Sequence, residues 1–416
     1  MNNLLDSKHK EAFLTSIDNL LDYESAFKAD NIIVKDIYWV DSNNVKQHNI
    51  GYRVQWNNLN GPYKGGLRFH PSVDVELFKK LAFEQTLKNI LTTLPMGGAK
   101  GGSDFDPHNK SKEDIKLFCN AYMDNFYMYF GVDKDIPAGD IGVGSFEVEC
   151  LYNRYVSITG KHDCALTGKP ISLGGSLCRK EATGYGLCYI TNRMLNVICN
   201  DSFKNKRVII SGSGNVAIYA AEKVIELGAK VIAMSDSSNA IYDEDGINLD
   251  IIKQIKEVKK DRIKEYISFK KSAKVMQSKD IWSVKGDIYL PCATQNEIDV
   301  EEAKKIINNK AICVCEGSNM SATSEATKLL LENNILYIPG KASNAGGVTV
   351  SGLEIEQNVK GVKYSFSEVD NRLKEIMENI FNNINDVCIK MNKPNNFMFG
   401  ANYYSFSKLI ELFENK

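Results

Sequence analysis

The chain lacks an excess of charge of either sign. Its 416 residues include 51 Lys and Arg against 52 Asp and Glu, which gives a formal net charge of −1 at pH 7. Proteins that hold nucleic acid through phosphate contacts usually carry a basic surface and a clear excess of positive charge. The balance therefore excludes a general nucleic-acid-binding function, and we expect small molecules as the partners of this chain.

Long apolar runs are also absent. No stretch reaches the roughly 18 apolar residues that a membrane-spanning helix needs. The first residues, MNNLLDSKHKEAF, contain no apolar segment of the secretory type and carry acidic residues early. With 43% hydrophobic and 25% charged residues, the composition is that of an ordinary globular protein. We therefore expect a folded protein of the cytoplasm without a membrane span.

The ten cysteines lack the spacing of a metal or disulfide site, because none of them forms a CxxC pair. Cys313 and Cys315 are two apart on a predicted strand, so they face the same side, and no His or Cys pair follows that could complete a zinc site. A chain of this length can bury a large core without disulfides. We expect free, buried thiols and no bound metal.

The length predicts two or more domains, since single cores stop growing at about 250–300 residues. In the first part, residues 31–40 and 47–56 have the composition of strands, and Tyr52, Val54 and Trp56 alternate with polar residues in the second. Residues 74–92, with Ser72 or Asp74 as N-cap, and 112–129 have helical spacing. This part is predicted to be a mixed α/β domain.

From about residue 173 the pattern becomes strand, turn, helix, strand. A strand at 207–211 precedes a helix at 215–227, and apolar runs of strand type recur at 287–293, 311–315 and 335–338. This alternation is typical of a doubly wound parallel sheet. The last residues return to helical spacing, at roughly 366–392 and 402–414. The predicted fold class is α/β, with an N-terminal α/β domain and a Rossmann-like domain.

A glycine-rich turn joins that strand and helix, with the sequence Gly-Ser-Gly-Asn-Val-Ala at 212–217. Gly212 permits the tight turn, Gly214 lets a pyrophosphate approach the backbone, and Ala217 allows close packing of helix on strand. The next strand ends in an acid, Asp236, 24 residues after Gly212. A strand, this turn and a helix together predict dinucleotide binding.

The residues alone leave the identity of the dinucleotide open. Asp236 in this position would accept the ribose 2′-OH of NAD and repel the 2′-phosphate of NADP. The serines beside it, in Ser-Asp-Ser-Ser at 235–238, could instead donate hydrogen bonds to a phosphate. Lys259 and Arg262, three apart and predicted to share one helix face, could supply positive charge.

Lysines in unusual settings indicate a second site. Lys64 lies in GPYKGG and Lys100 in GGAKGG, where the glycines let a ligand approach closely, and Lys88 follows Gln85 by three residues on the predicted helix. Two lysines and an amide suit the two carboxylates of a dicarboxylic acid. Crowding lowers lysine pKa values, so one lysine could serve as an acid or base. Asp140, in PAGDIG, is a carboxylate in a similar glycine-flanked loop.

These motifs and others resemble the hexameric glutamate dehydrogenases of the Glu/Leu/Phe/Val dehydrogenase superfamily. The resemblance covers the chain from about residue 30 to its end. The matching stretches are GPYKGGLRFHPSV, FEQTLKNILTTLPMGGAKGGSDFDP, DIPAGDIGVGSFEV, GGSLCRKEATGYG, SGSGNVA, LPCATQNE, EGSNM and GKASNAGGVTVSGLE.

The resemblance implies a role for each residue of the lysine-rich site. Lys64 and Ser351 would hold the distal carboxylate of glutamate. Lys88 and Gln85 would hold the α-carboxylate, and the backbone at Gly139 would line the pocket.

The resemblance also implies the reaction, which is L-glutamate, NADP⁺ and water to 2-oxoglutarate, ammonium and NADPH, in amino-acid metabolism and nitrogen assimilation. Lys100 would be the catalytic lysine that activates the attacking water. Asp140 would move protons to and from the substrate nitrogen. Closure about the junction near residue 173 would expel water.

For the cofactor, the resemblance favours NADP over the alternative, NAD, because NADP-using members resemble this chain at residues 235–238 and carry basic residues at the positions of Lys259 and Arg262. The residues expected to contact the cofactor are Thr183, Gly212, Gly214, Asn215, Val216, Asp236, Ser237, Lys259, Arg262, Asn319 and Asn344.

The resemblance implies a homohexamer of two-domain subunits with a cleft between the domains. Residues 1–172, joined by a C-terminal helix at about 396–416, would bind substrate and make subunit contacts. Residues 173–395 would bind the dinucleotide. A related activity, a dehydrogenase of apolar amino acids, is the alternative. Lys64 opposes it, because a buried ammonium facing an apolar side chain would have no partner.

Overall fold

The computed structural model describes residues 3–415, which divide into two compact units. The first contains residues 3–179, 348–369 and 405–415, and the second contains Lys180–Gly347 and Asp370–Tyr404. The predicted domain ranges place residues 173–179, 348–369 and 396–404 differently from these units. The functions assigned to the two ranges stay predictions.

A mixed sheet forms the centre of the first unit. Its strands run in the order β1-β2-β4-β3-β5. β2 is antiparallel to both β1 and β4, whereas β3 is parallel to both β4 and β5. The strands are β1 (Asn31–Val40), β2 (Lys46–Asn57), β3 (Tyr63–Phe69), β4 (Gly98–Ser103) and β5 (Asp135–Gly139).

Helices cover both faces of this sheet. They are α1 (Ser7–Ser16), α2 (Val75–Leu91), α3 (Lys112–Phe126) and α4 (Ser145–Thr159). Asp74 is the N-cap of α2, because its side chain accepts a hydrogen bond from the Leu77 amide. α3 and α4 share a core with Leu67 of β3. α2 covers the opposite face, where Phe83 meets Trp56 edge to face at 5.5 Å.

A buried ion pair crosses the α3 and α4 face of the sheet. Arg53 of β2 and Asp135 of β5 are both fully buried, and the Arg53 Nε donates to Asp135 at 2.9 Å. Gln55 donates to the same carboxylate at 2.9 Å. The Arg53 stem passes over Gly101 of β4, where a Cβ would lie 2.9 Å from the Arg53 Cδ. Arg53 and Gln55, the polar residues that alternate with the apolar ones in β2, are therefore as buried as their apolar neighbours.

The second unit contains a larger, mostly parallel sheet. Its strands run in the order β12-β11-β10-β6-β7-β8-β9, and only the pairings of β8 with β7 and β9 are antiparallel within the described chain. The strands are β6 (Arg207–Ser211), β7 (Lys230–Ser235), β8 (Asn239–Tyr242), β9 (Lys274–Gln277), β10 (Ile288–Pro291), β11 (Cys313–Cys315) and β12 (Leu336–Ile338). The predicted doubly wound fold is confirmed.

The remaining helices are α5 (Ala182–Cys199), α6 (Asn215–Glu226), α7 (Leu249–Lys253), α8 (Val300–Asn308), α9 (Ser324–Glu332), α10 (Gly340–Ser343), α11 (Gly346–Lys360), α12 (Phe366–Lys390) and α13 (Phe397–Glu414). Short 3-10 helices lie at Glu24–Phe27, Tyr127–Tyr129, Ile171–Leu173, Ile263–Ser268 and Ser278–Ser283. α13 begins at Phe397, five residues before the predicted residue 402.

The prediction that Lys259 and Arg262 share one helix face is wrong. α7 ends at Lys253 and continues only as a π-helical turn, Gln254–Val258. Lys260 then adopts a left-handed conformation with φ +57°, and Arg262 is extended. A left-handed residue cannot continue a right-handed helix, so the two basic residues lie on different elements.

The structure can be searched for membrane-spanning helices and for clusters of metal-binding side chains. Among residues 3–415, no helix combines the length and the apolarity that crossing a membrane requires, and no group of three or more His, Cys, Asp or Glu side chains could hold a metal ion. The ten cysteines are free, as predicted, and all but Cys199 are buried.

The Arg53–Asp135 pair gives a stability prediction. Asp135→Asn leaves a buried guanidinium without its counter-charge, and we expect the apparent melting temperature to fall by about 5–10 °C. Asp36→Asn is the matched control, because Asp36 is 66% exposed and pairs only with His48 among the described residues, and its shift should stay within about 1 °C. Thermal unfolding followed by circular dichroism measures both, and equal shifts would contradict a special role for the buried pair.

Candidate active site

The predicted lysines of the first unit converge on the α2-covered face of its sheet. Lys64 and Gly66 lie on one face of β3, since alternate residues of a strand point the same way. Lys100 lies on the neighbouring strand β4, and a Cβ built at Gly66 would lie 3.1 Å from its Nζ. Any larger residue at position 66 would fill this space. The glycine therefore keeps the surroundings of the amine open.

Lys100 and Asp140, the two residues predicted to be catalytic, form an ion pair. The Lys100 Nζ lies 3.2 Å from the Asp140 Oδ1, and the other carboxylate oxygen accepts a 2.7 Å hydrogen bond from the Arg68 Nε. Burial lowers the pKa of Lys100, and Asp140 opposes this effect. Burial alone would raise the pKa of Asp140, but Lys100 and Arg68 outweigh it and hold that pKa below its usual value. The pair can therefore exchange protons near a bound ligand.

Lys64 and Lys88 are cations in surroundings that disfavour charge. Burial lowers the pKa of Lys64 to about 7, with further lowering by Arg53 and Arg179. Burial likewise lowers the pKa of Lys88 to about 7, with Lys100 next in size. A carboxylate ligand beside either amine would favour its charged form. The site is therefore suited to an anion with two carboxylates.

The other predicted substrate residues also belong to the first unit. The Gln85 amide donates to the Asn89 Oδ1 at 2.7 Å, and Asn89 in turn donates to the Lys64 carbonyl at 3.1 Å. Gly139 ends β5 immediately before Asp140, the predicted proton carrier. Ser351 lies on α11 and is 2% exposed.

Sequence reasoning missed two arginines. Arg68 lies on the same face of β3 as Lys64, four residues later, and this spacing could have indicated its contact with Asp140. Arg179 lies within the GGSLCRKEATGYG stretch, and its charge lowers the pKa values of both Lys64 and Lys88. The buried Nε of Arg179 has no hydrogen-bond partner among the described residues. It is therefore a donor available to an anionic ligand.

The dinucleotide motif of the second unit has the predicted geometry. Gly212 follows β6 with φ +85°, a conformation that favours glycine. Gly214 is the N-cap of α6, and no described atom lies within 4 Å of a Cβ built there. The space beside Gly214 and the free amides at the start of α6 fit a pyrophosphate. Ala217 is fully buried, as close helix packing requires.

Asp236 is already saturated by its own unit. Its carboxylate accepts from the Ser238 amide at 2.9 Å, the Asn239 amide at 3.0 Å and the Ile263 amide at 2.8 Å, and the Lys256 Nζ lies 3.6 Å away. Burial raises its pKa, but these hydrogen bonds outweigh burial and lower the pKa to about 2. The carboxylate therefore orders this loop through hydrogen bonds to its backbone, and its predicted contact with the cofactor stays a prediction.

The two basic residues predicted to bind the cofactor phosphate, Lys259 and Arg262, have different contacts. The Arg262 Nη1 donates to the exposed Ser237 hydroxyl at 2.8 Å, although the two are 25 residues apart. The Lys259 Nζ lies 5.1 Å from the centre of the Phe269 ring. Arg262 and Ser237 thus form an exposed pair of donors next to the end of β7.

The remaining predicted cofactor residues also lie in the second unit. Thr183 is in the first turn of α5, and Asn215 and Val216 begin α6. The Asn344 amide donates to the Asn319 Oδ1 at 2.7 Å. Apart from Thr183, these residues follow parallel strands: Gly212, Gly214, Asn215 and Val216 come after β6, Asn319 after β11 and Asn344 after β12. The carboxyl ends of parallel strands are the usual place for ligands in this fold.

Comparison with known proteins agrees with this reading of the two units. Residues 174–416 match the family model of the Glutamate/Leucine/Phenylalanine/Valine dehydrogenases, and residues 30–157 match the Glu/Leu/Phe/Val dehydrogenase dimerisation domain.

Full-length relatives extend the comparison. The chain is 46% identical to an NADP-specific glutamate dehydrogenase of Helicobacter pylori, over 95% of this chain and 92% of the relative. It is 49% identical to an NAD(P)-specific glutamate dehydrogenase of Xylanibacter ruminicola, over 92% and 86% of the two chains. The crystal structure of Plasmodium falciparum glutamate dehydrogenase superposes with a TM-score of 0.95 at 42% identity, over 98% of this chain and 90% of that one.

The identities, the coverage and both family matches lead to one conclusion. The chain belongs to the Glu/Leu/Phe/Val dehydrogenase family.

Proposed function

We propose that the chain is a glutamate dehydrogenase that interconverts L-glutamate and 2-oxoglutarate, with ammonium and NADP(H). The observation that carries this proposal is the set of amines in the first unit, where Lys64 and Lys88 are poised for two carboxylates and Lys100 is paired with Asp140. The glycine-rich turn of the second unit and the glutamate dehydrogenases among the relatives support it.

The substrate carboxylates would occupy separate amines. Lys88 and Gln85 bind the α-carboxylate beside the backbone of Gly139. Lys64 and Ser351 bind the distal carboxylate, and the free Nε of Arg179 is a further donor nearby. Holding both ends of a short dicarboxylate fixes its Cα, and such orientation can contribute several kcal/mol to lowering the barrier.

The acid–base steps would belong to Lys100 and Asp140. The residues of the glycine-rich turn would hold NADP⁺, which would supply the acceptor for the hydride of the substrate Cα. Lys100 takes a proton from the water that attacks the resulting iminium carbon, and this requires the neutral amine that burial favours. Asp140 carries protons to and from the departing nitrogen, and Arg68 holds it in position at 2.7 Å.

The preference for NADP over NAD would rest on the loop after β7. The Asp236 carboxylate is occupied by hydrogen bonds from backbone amides and by the nearby Lys256. It would therefore neither accept a hydrogen bond from a ribose hydroxyl nor repel a 2′-phosphate with an unbalanced negative charge. Ser237 and Arg262 offer exposed donors that suit a 2′-phosphate. The NADP-specific relatives support this choice.

A dehydrogenase of apolar amino acids is the less favoured function. An apolar side chain in place of the distal carboxylate would leave the buried Lys64 ammonium and the Arg179 Nε without an anionic partner, at a cost in binding free energy. Glutamate supplies that partner.

For the assembly and location of the chain, we infer a homohexamer in the cytoplasm that serves amino-acid metabolism and nitrogen assimilation. The match of residues 30–157 to a dimerisation domain supports self-association through the first unit.

The central experiment is an initial-rate assay of the purified chain with 2-oxoglutarate, ammonium and either NADPH or NADH. We expect oxidation of NADPH with kcat/KM at least about tenfold higher than for NADH, because a 2′-phosphate gains charge-assisted hydrogen bonds. Arg262→Gln should lower kcat/KM for NADPH about 30-fold and leave that for NADH nearly unchanged. No oxidation of either cofactor would refute the proposed function, and an equal loss with both cofactors would refute the role of Arg262.

Lys64 is tested by Lys64→Met, which keeps the length of the side chain and removes its charge. We expect the KM for 2-oxoglutarate to rise about 100-fold, because a charge-assisted hydrogen bond to the distal carboxylate is lost. Lys80→Met is the matched control, since Lys80 is 42% exposed and pairs with Asp6. Unchanged turnover of 2-oxoglutarate by Lys64→Met would exclude Lys64 from the substrate pocket.

The lysine pKa values predict how binding depends on pH. Lys64 and Lys88 lose their protons as the pH rises through about 7, and a bound dicarboxylate favours the protonated forms. Binding of 2-oxoglutarate at pH 8.5 should therefore take up protons and be weaker than at pH 6, where both amines are already charged. Calorimetry in two buffers of different ionisation enthalpy measures the uptake, which Lys64→Met should reduce. Equal proton uptake at both pH values would contradict this assignment.

A further inference from the structure

A second buried ion pair of the first unit has no part in the chemistry described above. The Lys169 Nζ lies 2.8 Å from the Glu354 Oε1, and both side chains are fully buried. Lys169 belongs to the loop between α4 and α5, and Glu354 belongs to α11. The two residues are 185 positions apart, so the pair joins distant parts of the chain.

Each member of the pair is almost saturated by hydrogen bonds. The second oxygen of Glu354 accepts from the Gly168 amide at 2.9 Å. The Lys169 ammonium also donates to the Leu166 carbonyl at 2.6 Å and contacts the Cys164 sulfur at 3.4 Å. Because so many hydrogen bonds hold both members, the ion pair can adopt only one geometry, and it therefore fixes the loop against α11.

The helix that bears Glu354 also bears Ser351, one turn earlier on the same face. Two more side chains of this helix bind the same loop: Gln357 donates to the Ser176 hydroxyl at 2.9 Å, and Asn358 donates to the Gly174 carbonyl at 2.8 Å. Together with the ion pair, these contacts fix how α11 is turned about its axis and how closely it packs against the loop. They therefore also fix the position of the Ser351 hydroxyl.

The loop is in turn attached to the strand of the acid–base pair. The Thr167 amide donates to the Pro137 carbonyl on β5, the strand that leads to Asp140. Thr167 is two residues from Lys169. A continuous set of hydrogen bonds therefore links β5, the loop and α11.

Glu354 also balances the charge around the predicted distal-carboxylate pocket. It is the acidic group that opposes the lowering of the pKa of Lys64, and it acts on Arg179 in the same direction. Its carboxylate thus lies close enough to influence both cations while bonded to a third, Lys169.

We propose that Glu354, held by Lys169, is a positioning residue that places Ser351 of α11 for the distal carboxylate of the substrate. This inference rests on the proposed function and extends it, because Glu354 touches no reacting atom and acts through Ser351. Stability alone is a weak reason for such a pair, since apolar residues of similar volume often replace a buried ion pair without loss of stability.

The test is a double-mutant cycle on the full-length enzyme, with Glu354→Gln, Ser351→Ala and the double variant. Each single change should raise the KM for 2-oxoglutarate about tenfold, and the double change should also raise it about tenfold, because one residue acts through the other. The KM for NADPH should not change, and kcat should stay within about threefold of the wild-type value. Glu356→Gln is the matched control, because Glu356 is on the same helix and its partners include Lys360 at the surface.

Several outcomes would overturn the inference. A roughly hundredfold rise in the double variant would show independent effects, and an unchanged KM in Glu354→Gln would show no effect. If Glu354→Gln does not fold, Glu354→Asp takes its place, with the same expected lack of additivity. Wild-type enzyme without activity on 2-oxoglutarate would refute the proposed function itself, whereas an active wild type with additive variants would refute only the role of Glu354.

Discussion

The first unit depends on the burial of Arg53 against Asp135. Both groups are fully buried, and the guanidinium also donates to the Gly65 carbonyl at 3.2 Å, so it binds β2 to β3 and β5 across β4. A buried charge is tolerated only with a partner and saturated hydrogen bonds, so this pair permits one register of the sheet. The glycine at position 101 is part of the same constraint, because any Cβ there would collide with the arginine stem. Since side chains alternate along a strand, fixing the arginine on one face fixes Lys100 on the other.

The opposite face of the sheet holds an excess of positive groups instead of a balanced ion pair. Lys64, Lys88 and Lys100 are buried amines on this side, and Asp140 is the carboxylate in contact with Lys100. Burial lowers the pKa values of all three amines, and the charges of Arg53 and Arg179 add to this effect at Lys64, as that of Lys100 does at Lys88. These groups would lower the stability of the fold if the rest of the unit did not hold the strands together. In the proposed function, a dianionic ligand would offset this unfavourable burial of amines. The overall charge of −1 gives no sign of this local excess of buried amines.

Much of the fold and of the site could be predicted because their signals are local. The alternation in 47–56 and the turn at 212–217 predict β2 and the β6–α6 unit from neighbouring residues alone. Non-local interactions could not be predicted in this way: the polar positions of β2 look the same whether they face water or Asp135, which is 82 residues from Arg53. The break after α7 could not be predicted because a lysine-rich sequence is compatible with helix, whereas the segment continues only as a π-helical turn and then reaches the left-handed Lys260.

Asp236 shows most clearly why residue identity is an incomplete guide to function. An acid at the end of the second strand of this fold usually indicates NAD, since a free carboxylate accepts ribose hydroxyls. Here the chain returns at Ile263 and donates a backbone amide to that carboxylate at 2.8 Å, while Lys256 approaches from the π-helical turn. The acid is thereby converted from a ligand-binding group into the organiser of the loop that presents Ser237 to Arg262. In the proposed function, the cofactor preference would consequently depend on a segment some 20 to 27 residues downstream, whose irregular turn brings the backbone amide and the lysine to the acid. A regular helix through 254–262 would place these donors differently, so we expect the distortion of this segment to matter for cofactor binding.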